Sequence, residues 1–135
     1  MNRTAIMLAA LTLAVPTATA SAEPAPVVVV HNGSDAARAA LRSQGASASE
    51  IAFAITVCMR ESRCTLGAHN YNTRTRDDSW GPWQVNYWGD MRGPRTTLIG
   101  PPATNTSSWE RAARNFLKFL RAYGRCHWQG PDYCS

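Results

Sequence analysis

The stretch SASEIAFAITVCMRES, residues 47–62, reads as a helix from its first residue. Ser47 and Glu50 form a capping box, in which each side chain satisfies a backbone N–H left free at a helix start. Ile51, Ile55, Cys58, Met59 and Ser62 then recur at i, i+4, i+7, i+8 and i+11. That is an amphipathic stripe, and it has to be buried against something else. On a helical wheel Glu61 falls beside Ala54 and Cys58, on the shoulder of the stripe. A carboxyl partly withdrawn from water favours its protonated form, the form a general acid needs. The plainer possibility is a local ion pair with Arg60 or Arg63, since carboxylates are usually solvated.

Two more helices flank this one. The first takes Ser34 or Asp35 as N-cap, runs through Ala36, Ala37, Ala40 and Leu41, and stops before Gly45. The other opens with Ser107-x-x-Glu110. Trp109, Ala112, Ala113, Phe116, Leu117, Leu120 and Tyr123 then repeat at three and four, and Gly124 ends it. Gly93 to Ser108 reads as a long loop with a turn at Thr97 to Ile99. Long loops in small domains often carry function.

The segment from Asn70 to Trp88 is rich in Asn, Asp, Gly and aromatic residues. Gly81 permits a positive φ or a close backbone approach. Gln84 and Asn86 lie two apart, so in extended chain their amides share a face. Each amide both donates and accepts, as sugar hydroxyl and N-acetyl groups require. Trp80, Trp83, Tyr87 and Trp88 add flat faces that can stack on pyranose rings or pack into a core.

Glu61-Ser62, followed by Ser79-x-Gly81-x-x-Gln84-Val85-Asn86, resembles the paired signature of the lysozyme-like superfamily, and particularly its soluble lytic transglycosylase type. The resemblance spans about residues 48–130. It implies a mainly α fold of the α+β lysozyme-like kind: a small helical domain with little or no β-structure. The substrate cleft would lie between the helix of 47–62 and the Trp-rich segment. It implies Glu61 as the single catalytic acid and base, and Ser79, Gln84 and Asn86 as substrate contacts. Ser62, Trp80, Trp83 and Tyr87 join them as candidate contacts. Pro82 stands where the family usually carries an aliphatic residue. Ser79 stands where animal-type lysozymes carry their second carboxylate, and Asp78 comes one residue earlier. A one-residue shift in extended chain turns a side chain to the other face, which weighs against Asp78 as nucleophile.

With one carboxylate the economical chemistry is intramolecular. The expected activity is a peptidoglycan lytic transglycosylase that cuts the MurNAc–GlcNAc β-1,4 bond and leaves 1,6-anhydroMurNAc. A hydrolytic muramidase would need Asp78 or Asp77 as a second carboxyl at a defined separation. A non-catalytic wall-binding protein is the third possibility.

The full chain has 135 residues and a net charge of +5, with Lys118 its only lysine. That length suits one domain. Residues 1–22 read as a signal peptide: Arg3, an apolar run from Ile6 to Val15, and Ala18-Thr19-Ala20 or Ala20-Ser21-Ala22 as cleavage site. Residues 23–33 read as a tether and 34–135 as the domain. Secretion to the cell wall or periplasm follows from the leader, and four cysteines suit an oxidising compartment. Cys58, Cys64, Cys126 and Cys134 are the disulfide candidates, and the sequence leaves their pairing open. His31, His69 and His127 are scattered, and the cysteine spacings are not those of zinc sites, so neither metal nor cofactor is expected. Peptidoglycan strands are the expected partner. A monomer is anticipated, with no nucleic acid and no stable membrane insertion.

Overall fold

The structure, a computed structural model, describes residues 33–130. The leader, most of the tether and Cys134 lie outside them. Helices account for 61% of the described residues, so the fold is mainly α. No helix among these residues is long and apolar enough to cross a membrane.

Helix α1 (Gly33–Ser43) buries Ala37, Ala40 and Leu41. It begins at Gly33, so Ser34 and Asp35 stand in its first turn and not before it. A Cβ on Gly33 would lie 1.9 Å from the Cys64 carbonyl oxygen, so the start of α1 abuts the chain leaving the next helix.

That helix, α2 (Ala48–Ser62), carries the expected capping box: Ser47 N donates to Glu50 Oε2 at 2.7 Å, and Glu50 N to Ser47 Oγ at 3.2 Å. Its buried face is Ile51, Phe53, Ala54, Val57 and Cys58, whereas Met59 is 50% exposed. The stripe is thus rotated from the expected one, because α2 packs against neighbours on its Phe53 side as well. Arg63 and Cys64 follow in left-handed backbone, at φ 53 and 52. Such conformations cost side-chain-bearing residues about 1–2 kcal/mol each. They are held by the Cys58–Cys64 disulfide and by hydrogen bonds from both residues' N–H groups to the Cys58 carbonyl.

The sheet is antiparallel and three-stranded, in the order β1 (His69–Asn72), β2 (Asp77–Trp80) and β3 (Val85–Asn86). It is as small as expected. The supposed long loop is instead largely ordered. A single 3₁₀ turn at Gly89–Met91 leads into α3 (Arg92–Ile99), and a second covers Pro102–Asn105. Gly93 and Pro94 mask this helix in the sequence, but proline is tolerated in a first turn, where the missing N–H has no partner to lose. Helix α4 (Trp109–Tyr123) is capped by Ser108, whose Oγ accepts from Arg111 N. Ser107 is not its cap: its hydroxyl donates to the Thr104 carbonyl. A last short helix, α5 (Cys126–Gln129), follows Gly124.

The core centres on α4. Trp83 stacks on Phe116 with ring centroids 4.7 Å apart, and Trp128 lies 5.0 Å from the same ring. Both indoles find acceptors: Trp83 Nε1 donates to the Ala54 carbonyl, and Trp128 Nε1 to the Trp83 carbonyl. Cys126 is also disulfide-bonded.

Candidate active site

Glu61 sits in the last turn of α2, at the edge of a polar cavity of about 450 Å³. Facing it across the cavity is one side of the sheet. The register explains which residues meet there. Asn70 pairs with Ser79, and Ser79 with Asn86, so three polar side chains line up across the strands on one face. Asp77 lies two residues from Ser79 and shares that face. Thr75 and Gln84 complete this wall, and His127 and Trp128 of α5 close the cavity from behind.

Asp77 accepts hydrogen bonds from Asn70 Nδ2 and Ser79 Oγ. Asn86 Oδ1 accepts from Asp78 N and Trp88 N, and its Nδ2 donates to the Arg76 carbonyl. Gln84 Nε2 donates to the Gly81 carbonyl at 2.9 Å and more weakly to that of Ala68. The amide nitrogen is thereby turned to the backbone, and the Gln84 oxygen is the acceptor it can offer a ligand. Gln84 itself adopts left-handed backbone at φ 49, after Gly81 at φ 78. A Cβ on Gly81 would come within 2.4 Å of the Asn105 carbonyl oxygen, so this turn needs glycine twice over.

The Glu61 side chain is 29% exposed, and its Oε1 accepts two hydrogen bonds from Arg60, at 2.9 and 2.7 Å. The ion pair anticipated as the plainer possibility therefore exists, beside the cavity position. Burial of Glu61 is shallower than its place on the wheel suggests, because the helix ends at the next residue. Arg60 also donates to the Trp128 carbonyl, which ties the end of α2 to α5.

Asp78 faces the opposite side of the sheet. It is 4% exposed and bound by His69 Nε2 at 2.9 Å, Trp80 Nε1 at 2.7 Å and Arg92 Nη2 at 2.6 Å. Burial alone would raise its pKa, but the bonds from His69 and Trp80 and the Arg92 charge outweigh that and hold it below the ordinary value. It is a structural anion outside the cavity.

Of the sequence-derived candidates, Glu61, Ser79, Gln84 and Asn86 line the cavity, and four others do not. Ser62 donates to the Pro82 carbonyl at 2.7 Å and accepts from Thr65 N, so it pins the end of α2 to the Gly81–Pro82 turn. Trp80 lies on the Asp78 side, stacked on His69. Trp83 is 2% exposed in the core. Tyr87 is fully buried, donating to the Gly100 carbonyl and accepting from Asn105 Nδ2. Strand alternation and core packing take these aromatic faces away from the polar cavity.

Asp77, one of the two candidates for a second carboxyl, also lines the cavity, and Asn70, Thr75, His127 and Trp128 are lining residues that sequence reading did not single out. Hairpin register could have found Asn70. His127 and Trp128 arrive from forty residues further along with no local signal. Burial is the main reason His127 has a lowered pKa, reinforced by the Arg95 charge, while Gln84, Glu61 and Asp77 pull it back up. Among the described residues no three His, Cys, Asp or Glu side chains gather as a metal group. No family model matches the chain, and neither a curated protein nor a solved structure matches it.

Proposed function

We propose that the protein cleaves peptidoglycan glycan strands at the MurNAc–GlcNAc β-1,4 bond, as a lytic transglycosylase with Glu61 as general acid and base. Support comes from one observation. The two halves of the motif, Glu61 on a helix end and Ser79, Gln84 and Asn86 on a sheet, border a single polar cavity. Polar walls carrying amides, hydroxyls and a carboxyl suit a hydroxyl-rich chain.

Glu61 gives its proton to the bridging oxygen as the bond to the muramoyl C1 breaks. The resulting carboxylate takes the proton of the C6 hydroxyl while O6 closes on C1. No water is consumed, and the product is a 1,6-anhydro sugar. Arg60 steadies Glu61 through Oε1. A disulfide-bonded small chain belongs to an oxidising compartment, which agrees with action outside the cytoplasm.

The position of Asp77 favours a second reading. It shares the cavity with Glu61, as Asp78 does not, and a second carboxyl is what hydrolysis needs. Mass spectrometry of fragments released from purified peptidoglycan separates the two. Transglycosylation predicts products one water lighter than hydrolytic ones, surviving Asp77→Asn and reduced about 10²–10⁴-fold in rate by Glu61→Gln. Reducing-end MurNAc lost with Asp77→Asn would establish the muramidase instead. Strand binding with no product from the oxidised protein would leave a wall-binding protein.

A further inference from the structure

A second cavity, of about 550 Å³, adjoins the first, with His127 in the wall of both. It is as apolar as the other is polar, lined by Met91, Pro94, Phe119 and Tyr123. Its size falls within the roughly 300–1,000 Å³ usual for ligand sites. One cation interrupts the apolar lining. Arg95 is half-buried, its guanidinium 5.0 Å above the Phe119 ring, and its Nη1 donates to the Asn86 carbonyl. The ion pairs among the described residues are Arg60–Glu61, His69–Asp78, Arg92–Asp78 and Arg121–Glu50, so none of the described carboxylates pairs with Arg95. Asp90 lines the same cavity but is exposed and forms none of these pairs. A guanidinium withdrawn from water without an anion is costly, and burial is the leading reason its pKa is lowered. It has five N–H donors in a fork shaped for a carboxylate, one of them committed to Asn86.

We propose that this cavity receives the carboxylate end of a short apolar peptide, anchored by Arg95. The inference rests on the glycan-cleaving reading, because the peptide stems hung on muramoyl units carry small apolar side chains and free carboxylates. A strand in the polar cavity would have this one beside it, across His127. Arg95 also touches the polar cavity through the backbone of Asn86, so an occupied anchor stiffens a wall of the cleft. The competing occupant is the chain's own segment 131–135, which directly follows Gly130.

The test is an NMR titration of the oxidised full chain with acetyl-alanyl-alanine and with its C-terminal amide. The acid should shift Phe119, Tyr123 and His127 signals and bind at least about tenfold more tightly than the amide, the contribution expected of a charge-assisted hydrogen bond. Arg95→Gln should remove that preference, and Arg95→Lys should keep part of it. In cleavage assays, stripping the stems from glycan strands should raise KM about tenfold for the wild type and leave Arg95→Gln unchanged. Equal binding of acid and amide, or binding of neither, overturns the proposal even if the Arg95 variants fail to fold. Cross-relaxation between the Phe119 ring and residues 131–135 in the free chain also overturns it, by assigning the cavity to the chain's own end. Stem-independent cleavage without dipeptide binding sinks this inference and leaves the role of Glu61 standing. Selective acid binding by a chain that cleaves no glycan keeps the carboxylate site and removes the glycan reading.

Discussion

Asp77 and Asp78 are chemically identical neighbours with opposite fates. Alternation along β2 sends Asp77 into the polar cavity and Asp78 into a cage of His69, Trp80 and Arg92. Removing Asp78 leaves three donors facing a buried gap, which mutational experience prices at several kcal/mol for fully buried pairs. Arg92 is more than half exposed, so water takes part of that cost. Asp78→Ala should therefore destabilise the fold by about 2–3 kcal/mol in urea denaturation, whereas Asp77→Asn should change it by less than about 1 kcal/mol. Equal effects would contradict the assignment of one to structure and the other to the site. Gly81 makes the same point about backbone, since a positive φ and the Asn105 carbonyl both exclude a side chain there.

At the scale of elements, the N-terminus of α2 is the best-defined device. Glu50 closes the capping box on Ser47 and at the same time takes Arg121 from the far end of α4, Nε to Oε1 at 2.8 Å. Arg121 also reaches the Gly45 carbonyl in the turn between α1 and α2. The Glu50–Arg121 pair thus ties α2 to α4 and to the turn that follows α1. Arg121 is the main reason the Glu50 pKa falls from 4.5 to about 2 in the folded chain, with the Ser47 bonds adding to it and burial opposing. A depressed carboxyl stabilises the folded state above its unfolded pKa, and that contribution is lost as pH falls. Glu50 stabilisation should be intact above pH 4.5 and disappear between 4.5 and about 2. Chemical denaturation across that window should show a steeper loss for wild type than for Glu50→Gln. Parallel curves would remove Glu50 from the acid response.

At the scale of the molecule, α5 closes the assembly. It brings Trp128 onto the Phe116 and Phe53 rings and His127 between the two cavities. Burial of His127, helped by Arg95, lowers its pKa from 6.5. The folded state therefore favours neutral imidazole. Its contribution is whole above pH 6.5 and falls as the unfolded chain gains a proton below that value. Stability should decline as pH drops from 6.5 toward the depressed folded value, and His127→Gln should flatten that part of the profile. A profile unchanged by the substitution would mean His127 is not buried as described.

Local sequence was sufficient for whatever is settled within a few residues. The capping box of α2, the periodicity of α4 and the Gly81 turn are legible, because capping, helical period and backbone freedom act at short range. Gln84, by contrast, sits in left-handed backbone and reaches the cavity of Asn86 through the turn and not through strand alternation. Four features are decided only by tertiary structure. Helix α3 is hidden by Gly93 and Pro94 and exists because Ile99 has a core to enter. The buried face of α2 turns toward Phe53 because that ring meets Phe116 and Trp128. Trp83 and Tyr87 leave the candidate site because an aromatic side chain gains more from a packed core than from an open cleft. His127 and Arg95 acquire their roles from burial beside segments distant in the chain, and burial is a property of packing that no local pattern encodes.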